Sequence, residues 1–281
     1  EYPDNATKST LYPNSGYMRY TPHEQNKAAM DQLAGMLENS QHPVIVAGFG
    51  ARQSNVGSDL LKLAQTIGAA IVTSSNGKGI IDETEEVCAG TLSTFGGTKA
   101  SHRVLAGADL VLVLGASLGA DYTRFRDPMM IRPGSQSIVQ VDIDPRNAGW
   151  IYPVDLPITG DVKDVVKYLL DKKINSSARD SRLQHILDVK IKNNYDKVLV
   201  YTSPHKTMHY ADVFNTLNKF LGPNDLLVLD AGNNSIWAKY VIRCRYPGQY
   251  IAPGGTGAMG WGAPASVGIQ FACPKKRVTM V

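Results

Sequence analysis

The 281-residue chain has little from which a covalent or metal framework could be built. Its three cysteines, Cys88, Cys244 and Cys273, are odd in number and far apart, with no CxxC pair. That argues against a disulfide scaffold or a zinc cluster and fits a reducing, cytoplasmic setting. No apolar run approaches the ~18–20 residues needed to span a membrane, so no membrane partner is expected. Charge is also sparse. The 29 Lys plus Arg nearly balance 25 Asp plus Glu, leaving +4 over the whole length without a basic tract. Nucleic acid is therefore not an expected partner. There is no GxSxG elbow and no local cysteine-nucleophile signature. Of the histidines, only His205 and His209 have a metal-like spacing, and no carboxylate or Cys clusters with them, so a solvated loop and helix start is favoured over zinc.

What remains is an ordinary globular composition, 43% hydrophobic and 19% charged, arranged as alternating strands and helices. Residues 1–20 are rich in Pro, Asn and Tyr without periodicity and read as a linker. Thr21-Pro22-His23-Glu24 is a capping box opening a helix through Ala29, Met30, Leu33 and Leu37. PVIVAGFG (43–50) reads as a buried strand running into glycines. Ser54 or Asn55 is expected to cap the next helix, with Leu60, Leu61, Ala64 and Ile67 on one face and Gly68 at its end. Strands at 69–73, 109–115 and 137–144, with helices at 98–108 and 161–171, complete a doubly wound parallel sheet of Rossmann type. DLVLVLG (109–115) is apolar on both faces, as a central parallel strand must be.

The expected organisation is a first α/β domain over 21–173, an interdomain connection with its own helix over 174–205, and a second, truncated α/β unit over 206–281. In the second unit, 209–222 and 235–242 read as helices and 225–232 as a strand. A Gly-rich stretch (253–268) then leads into a small-residue helix and a closing strand. The opening EYPDNATKS has neither an initiator Met nor a signal peptide, and the end RVTMV reads as a strand just begun. A piece of a longer protein is expected.

Gly48-Phe49-Gly50 after a strand invites a dinucleotide reading, but the fingerprint is incomplete. Its third position is Gln53, and the second strand ends Thr73-Ser74-Ser75 without the acidic residue that would hold a ribose. A tight turn that lets a helix pack on its sheet is favoured over an NAD site. Gly115 and Gly119 carry the same ambiguity, and the two turns together could still floor a nucleotide crevice. Asp142 and Asp144 could do acid–base or metal work, but Asp144-Pro145 is a good turn initiator and the structural role is favoured.

Two stretches together resemble the thiamine-diphosphate-dependent 2-oxo acid decarboxylase and acetolactate synthase superfamily. PVIVAGFGAR, GAAIVTSSNGKG, ADLVLVLGASL, VDIDPRNAG and PITGD, in that order, resemble its central domain over about 24–172. LLVLDAGNNSIW, followed by GGTGAMGWGAPASVGIQFACPKKRVTMV, resembles the start of its diphosphate-binding domain over 206–281. The resemblance implies thiamine diphosphate and Mg2+ as cofactors, a small 2-oxo acid as substrate and a homodimer or homotetramer. The implied activity is decarboxylation with release or transfer of the resulting carbanion, acetolactate-synthase-like or benzoylformate-decarboxylase-like.

Residue by residue, Gly257 would place its carbonyl against the cofactor's 4′-amino group, and Met259 would be the apolar wedge holding its two rings bent. The bland alternative is that GTGAMGWG only packs a helix start on a strand. Gly232, Asn233 and Asn234 would lie in the loop facing the diphosphate and substrate, where an amide donates without adding charge. Asn234 could equally cap the following helix. This Asn-Asn pair departs from the Gln-His usual in acetolactate synthases. The family's Gly-Asp-Gly and later Asn, which hold magnesium, would follow Val281, and the Glu that protonates the aminopyrimidine belongs to an N-terminal domain. No catalytic residue or metal ligand is therefore assigned within this chain, which is expected to be inactive alone.

Some members bind FAD or ADP in the central domain. GFGAR resembles the oxidase-like version, in which Gly48, Gly50 and Arg52 would meet the nucleotide, although FAD-binding synthases tend to carry an Arg where this chain has Ser117. The rivals are thus an FAD-linked pyruvate-oxidase-like enzyme, a non-catalytic nucleotide-binding module, and a purely structural domain.

Overall fold

A computed structural model describes residues 27–174, 176–200, 207–255 and 257–281. The capping box at 21–24 and His205 lie outside the described residues. Helix α1 (Lys27–Asn39) buries Ala29, Met30, Leu33, Ala34 and Leu37, which recur at helical spacing. Strand β1 (Pro43–Ala47) is buried at every position and runs into the short helix α2 (Phe49–Gln53). Helix α3 (Gly57–Ile67) follows, closed by Gly68 in the left-handed conformation at φ +70°. Ser54 and Asn55 do not cap it. The Ser54 hydroxyl donates back to the Gly50 carbonyl, and Val56 takes the N-cap position without a side-chain bond. The helix start is set instead by close approach: a Cβ on Gly57 would lie 2.2 Å from the Ile80 carbonyl oxygen.

The first sheet continues through β2 (Ala70–Ser74), β3 (Cys88–Leu92), α4 (Lys99–Gly107), β4 (Leu110–Leu114), β5 (Ser137–Asp142), β6 (Leu156–Thr159) and α5 (Val162–Asp171). All six strands are parallel, in the order β3-β2-β1-β4-β5-β6. This is the doubly wound arrangement expected, and its order reverses between β1 and β4. Side chains alternate between two cores. Leu110, Leu112 and Leu114 of β4 pack with α1, α3 and α5, while Val111 and Val113 pack on the opposite face with α4. Each such side chain contributes roughly 1.5–3 kcal/mol over leaving it exposed. Strands β3 and β6 were not expected. Both are edges of the sheet, one interrupted by Gly90 at φ +95° and the other by Pro157, which an edge tolerates.

Helix α6 (Arg179–Lys192) lies within the segment 174–205 and packs against α4, contributing Ile186 to that core. Its Arg182 is 2% exposed and donates to the carbonyls of Leu37, Glu38, Ser40 and Ile67. One guanidinium thereby satisfies carbonyls that α1 and α3 leave open at their C-terminal ends.

The second unit comprises α7 (Tyr210–Phe220), β7 (Asp225–Val228), α8 (Asn233–Val241), β8 (Tyr250–Ile251), α9 (Gly262–Ala272) and β9 (Arg277–Met280). Its three strands are parallel in the order β8-β7-β9. His209 caps α7, its Nδ1 accepting from the Ala211 amide, with Asp212 completing a capping box. This is a structural role. The two units meet through polar contacts. Lys78 and Glu83, both essentially inaccessible, form an ion pair at 2.6 Å. The Lys78 ammonium also donates to the Ile242 carbonyl, and Glu83 accepts from the Cys244 amide, each at 2.9 Å.

Candidate functional site

The reversal of strand order puts the carboxyl ends of β1 and β4 side by side, where a doubly wound sheet leaves a crevice. The glycines there are required by contact. A Cβ on Gly48 would lie 2.1 Å from the Gly115 carbonyl oxygen, and the Gly50 amide donates to that same oxygen at 2.9 Å. Beyond them opens a crevice of about 480 Å3 whose walls include Gly50, Gln53, Gly115, Ser117 and Asp142. Asp142 is 8% exposed and accepts from the Asp144 amide and the Asn147 side chain, so it organises the turn after β5. Asp144 meanwhile is gripped by the Arg146 side chain at 2.6 Å. Arg52 is turned away from the crevice. Its guanidinium donates to the carbonyls of Tyr250 at 2.7 Å and Lys78 at 3.3 Å, so it serves the junction between the units.

A second cleft, of about 370 Å3, lies between the units and brings together Gly232 and Gly257 from the second with Asn76 and Tyr122 from the first. Asn76 and Tyr122 also line the crevice, so the two spaces share a wall, closed by a 3.4 Å bond from the Asn76 amide to the Tyr122 hydroxyl. Burial, with Asp121 nearby, raises the Tyr122 pKa and keeps that hydroxyl neutral.

Gly232 has φ +128° and precedes α8 as an N-cap without a side-chain bond, and its carbonyl accepts from the Ser235 amide at 3.1 Å. Asn233 stands exposed at the start of that turn. Asn234 does not cap the helix: its amide donates to the Val281 carbonyl at 2.7 Å and ties the loop to the end of β9. Gly257 has φ +55°, and an added Cβ there would meet nothing within 4 Å. Glycine is thus required by conformation rather than by crowding. Met259 is 89% exposed, a large apolar side chain without a packing partner, beside a loop that Asp230 anchors by accepting from the Gly260 amide. That anchoring outweighs the cost of burial and, with the Ala231 amide as its largest cause, lowers the Asp230 pKa.

Of the residues singled out in the sequence, Gly232 and Gly257 line this cleft, while Asn233 and Met259 are exposed beside it. Among the described residues no group of three His, Cys, Asp or Glu side chains could hold a metal, and no residue is assigned to magnesium. Lys239 of α8 also lines this cleft and was missed in the sequence. Nothing in SIWAKYVI singles it out, because its contact with Ser93 of the first unit arises only in the fold.

Residues 30–169 match the family described as "Thiamine pyrophosphate enzyme, central domain", and 230–281 match "Thiamine pyrophosphate enzyme, C-terminal TPP binding domain". The chain belongs to the thiamine pyrophosphate enzymes. Among its relatives, a probable acetolactate synthase large subunit of Methanocaldococcus jannaschii is 29% identical over 255 residues, covering 89% of this chain and 42% of the relative. The acetolactate synthase large subunit of Corynebacterium glutamicum is 26% identical, over 92% of this chain and 40% of its own length. A probable 2-ketoarginine decarboxylase of Pseudomonas aeruginosa is 27% identical, over 90% and 42%. The chain therefore spans less than half the length of these relatives. No helix among the described residues is long and apolar enough to cross a membrane.

Proposed function

We propose that this chain forms one wall of the active site of a thiamine-diphosphate- and magnesium-dependent enzyme that decarboxylates a small 2-oxo acid and releases or transfers the remaining fragment. Bound thiamine diphosphate would supply the electron sink for loss of carbon dioxide, while the protein supplies geometry and electrostatics. The observation that carries the reading is Met259, 89% exposed, two residues after Gly257 at φ +55°. At that exposure the side chain is available to a bound ring system. Met259 would fill the angle beneath the two rings, its unbranched thioether adapting to their shape. The Gly257 carbonyl would accept from the amino group of the pyrimidine. The start of α8, through its dipole, and the Asn233 side chain would hold diphosphate oxygens. Asn234, held by Val281, supports that loop from behind. Assembly as a homodimer or homotetramer belongs to the same proposal.

Calorimetric titration with thiamine diphosphate and magnesium tests it. The complete enzyme is expected to bind, its Met259→Ala variant to bind about tenfold more weakly, and its Gly257→Val variant to lose binding through backbone strain. Equal affinity in all three would refute the assignment. A second reading is favoured by the strand order and the glycine-floored crevice of about 480 Å3: a nucleotide such as FAD or ADP held at Gly50 and Gly115. A yellow chromophore on purification, or saturable FAD or ADP binding lost in Gly50→Val, would support it.

A further inference from the structure

Met259 is too exposed to be held by its own packing, so its position follows from the main chain on either side. On one side Gly257 bonds within its own turn, its amide donating to the Gly254 carbonyl at 3.1 Å. On the other, the Gly260 amide donates at 2.9 Å to Asp230 Oδ2, thirty residues away in the sequence. The opposite oxygen, Oδ1, accepts from the Ala231 amide at 2.7 Å, which fixes the orientation of the carboxylate.

Asp230 is itself rooted in the second sheet. It follows β7 and the fully buried Leu229, and its amide donates to the Val281 carbonyl at 3.0 Å. It also meets the start of α9 by close approach: a Cβ on Gly262 would lie 3.0 Å from the Asp230 Cβ. Trp261 stands at the N-cap of α9 without a side-chain bond. A carboxylate facing the amides of Gly260, Trp261 and Gly262 completes that helix end from the end of β7.

We infer that Asp230 is a positioning residue of the cofactor site, setting Met259 beneath the rings through its hold on the Gly260 amide. The inference rests on the thiamine diphosphate reading. One carboxylate thereby joins the two loops that the cofactor would bridge: Ala231 leads into Gly232 and Asn233, and Gly260 follows Met259. A carboxylate that only capped α9 would matter to stability and not to whatever rests on Met259. The two roles therefore separate by experiment.

Calorimetric titration of the complete enzyme with thiamine diphosphate and magnesium, run as a double-mutant cycle, reads the coupling. Asp230→Ala should weaken binding roughly tenfold, the scale of one hydrogen bond to a charged group. Asp230→Asn keeps one acceptor oxygen and should recover part of that loss, and it carries the same cycle where Asp230→Ala fails to fold. In a Met259→Ala background the Asp230 substitution should cost about twofold or less, because no side chain remains to be positioned. Asp225, 6% exposed at the other end of β7 and paired with Arg277 at 2.6 Å, gives the control. Asp225→Asn should lower the urea midpoint and leave cofactor affinity unchanged. Without cofactor, hydrogen exchange at the Gly260 amide should quicken in the Asp230 variants. Additive losses in the cycle, an equal loss of affinity in Asp225→Asn, or unchanged Gly260 exchange overturns the inference. A complete enzyme that binds no thiamine diphosphate sinks the cofactor reading and this inference with it, whereas an additive cycle in an enzyme that does bind sinks the inference alone.

Discussion

Replacing Glu83 by Gln should unfasten the junction between the two units. The Lys78 ammonium is 1% exposed and the Glu83 carboxylate 0% exposed, 2.6 Å apart. Glu83→Gln preserves shape and leaves Lys78 with the Ile242 carbonyl but no counter-charge. An uncompensated buried charge costs about 3–5 kcal/mol, a large share of the ~5–15 kcal/mol that holds a typical protein folded. Lys78→Met should cost a similar amount by stranding the carboxylate. The double variant Lys78→Met/Glu83→Leu removes both charges and leaves only the Ile242 carbonyl and Cys244 amide short of partners, at about 1–3 kcal/mol each. It should therefore be more stable than the two single losses added together, by roughly 2 kcal/mol or more. Urea unfolding followed by far-UV circular dichroism measures all four corners of the cycle. Hydrogen exchange at the Cys244 amide reports whether loss begins at the junction. A Glu83→Gln variant within about 1 kcal/mol of the parent, or an additive cycle, would refute the reasoning.

Arg182→Met keeps the aliphatic stem but withdraws the donors from four carbonyls, and should lower stability by roughly 3 kcal/mol in urea titration, with α1 losing exchange protection first. Asp109 is partly desolvated, yet bonds from the Gln41 and His42 amides and the Ser40 hydroxyl hold its carboxyl below the usual range. A depressed folded pKa adds stability above the unfolded value, about 3.9, which is lost as pH falls through the folded one. The Asp109→Asn variant should thus be less stable at pH 7 and show a flatter decline in acid, read from unfolding midpoints at the two pH values. Burial pushes the Cys88 thiol up to about 11 and raises Cys244 as well, while Cys273 is half-buried. Ellman's reagent should label one thiol rapidly in the folded protein and the other two only on unfolding. Two fast thiols would contradict the burial.

The sheet was legible wherever burial on both faces writes a continuous apolar run, as in LVLVL of β4. It was illegible at its edges, where a register shift before Gly90 and the proline at 157 interrupt the pattern while the strands stay paired. Ser54 and Asn55 misled because capping chemistry competes with close contact, and the contact of Gly57 with Ile80 won. At the site, Gly257 and Met259 could be found because a short motif surrounds them. Arg52 could be found but not oriented, since its partners are carbonyls 26 and 198 residues away. Lys239 could not be singled out, because only the approach of two distant segments gives it meaning.

The junction between the units is read largely off main chain. Arg52 donates to the Tyr250 carbonyl, Lys78 to the Ile242 carbonyl, Glu83 accepts from the Cys244 amide, and the Gly248 amide meets the Gly79 carbonyl. Every residue type but proline offers the same carbonyl and amide. Over evolutionary time, the exposed side chains at 245–248 are therefore free to drift so long as the path of the backbone holds, while Ile242 and Cys244 stay fixed in the core. A single inserted or deleted residue in that stretch would throw every contact out of register at once. Sequence divergence is cheap at this seam and length polymorphism is not, so relatives should differ here in letters far more readily than in spacing.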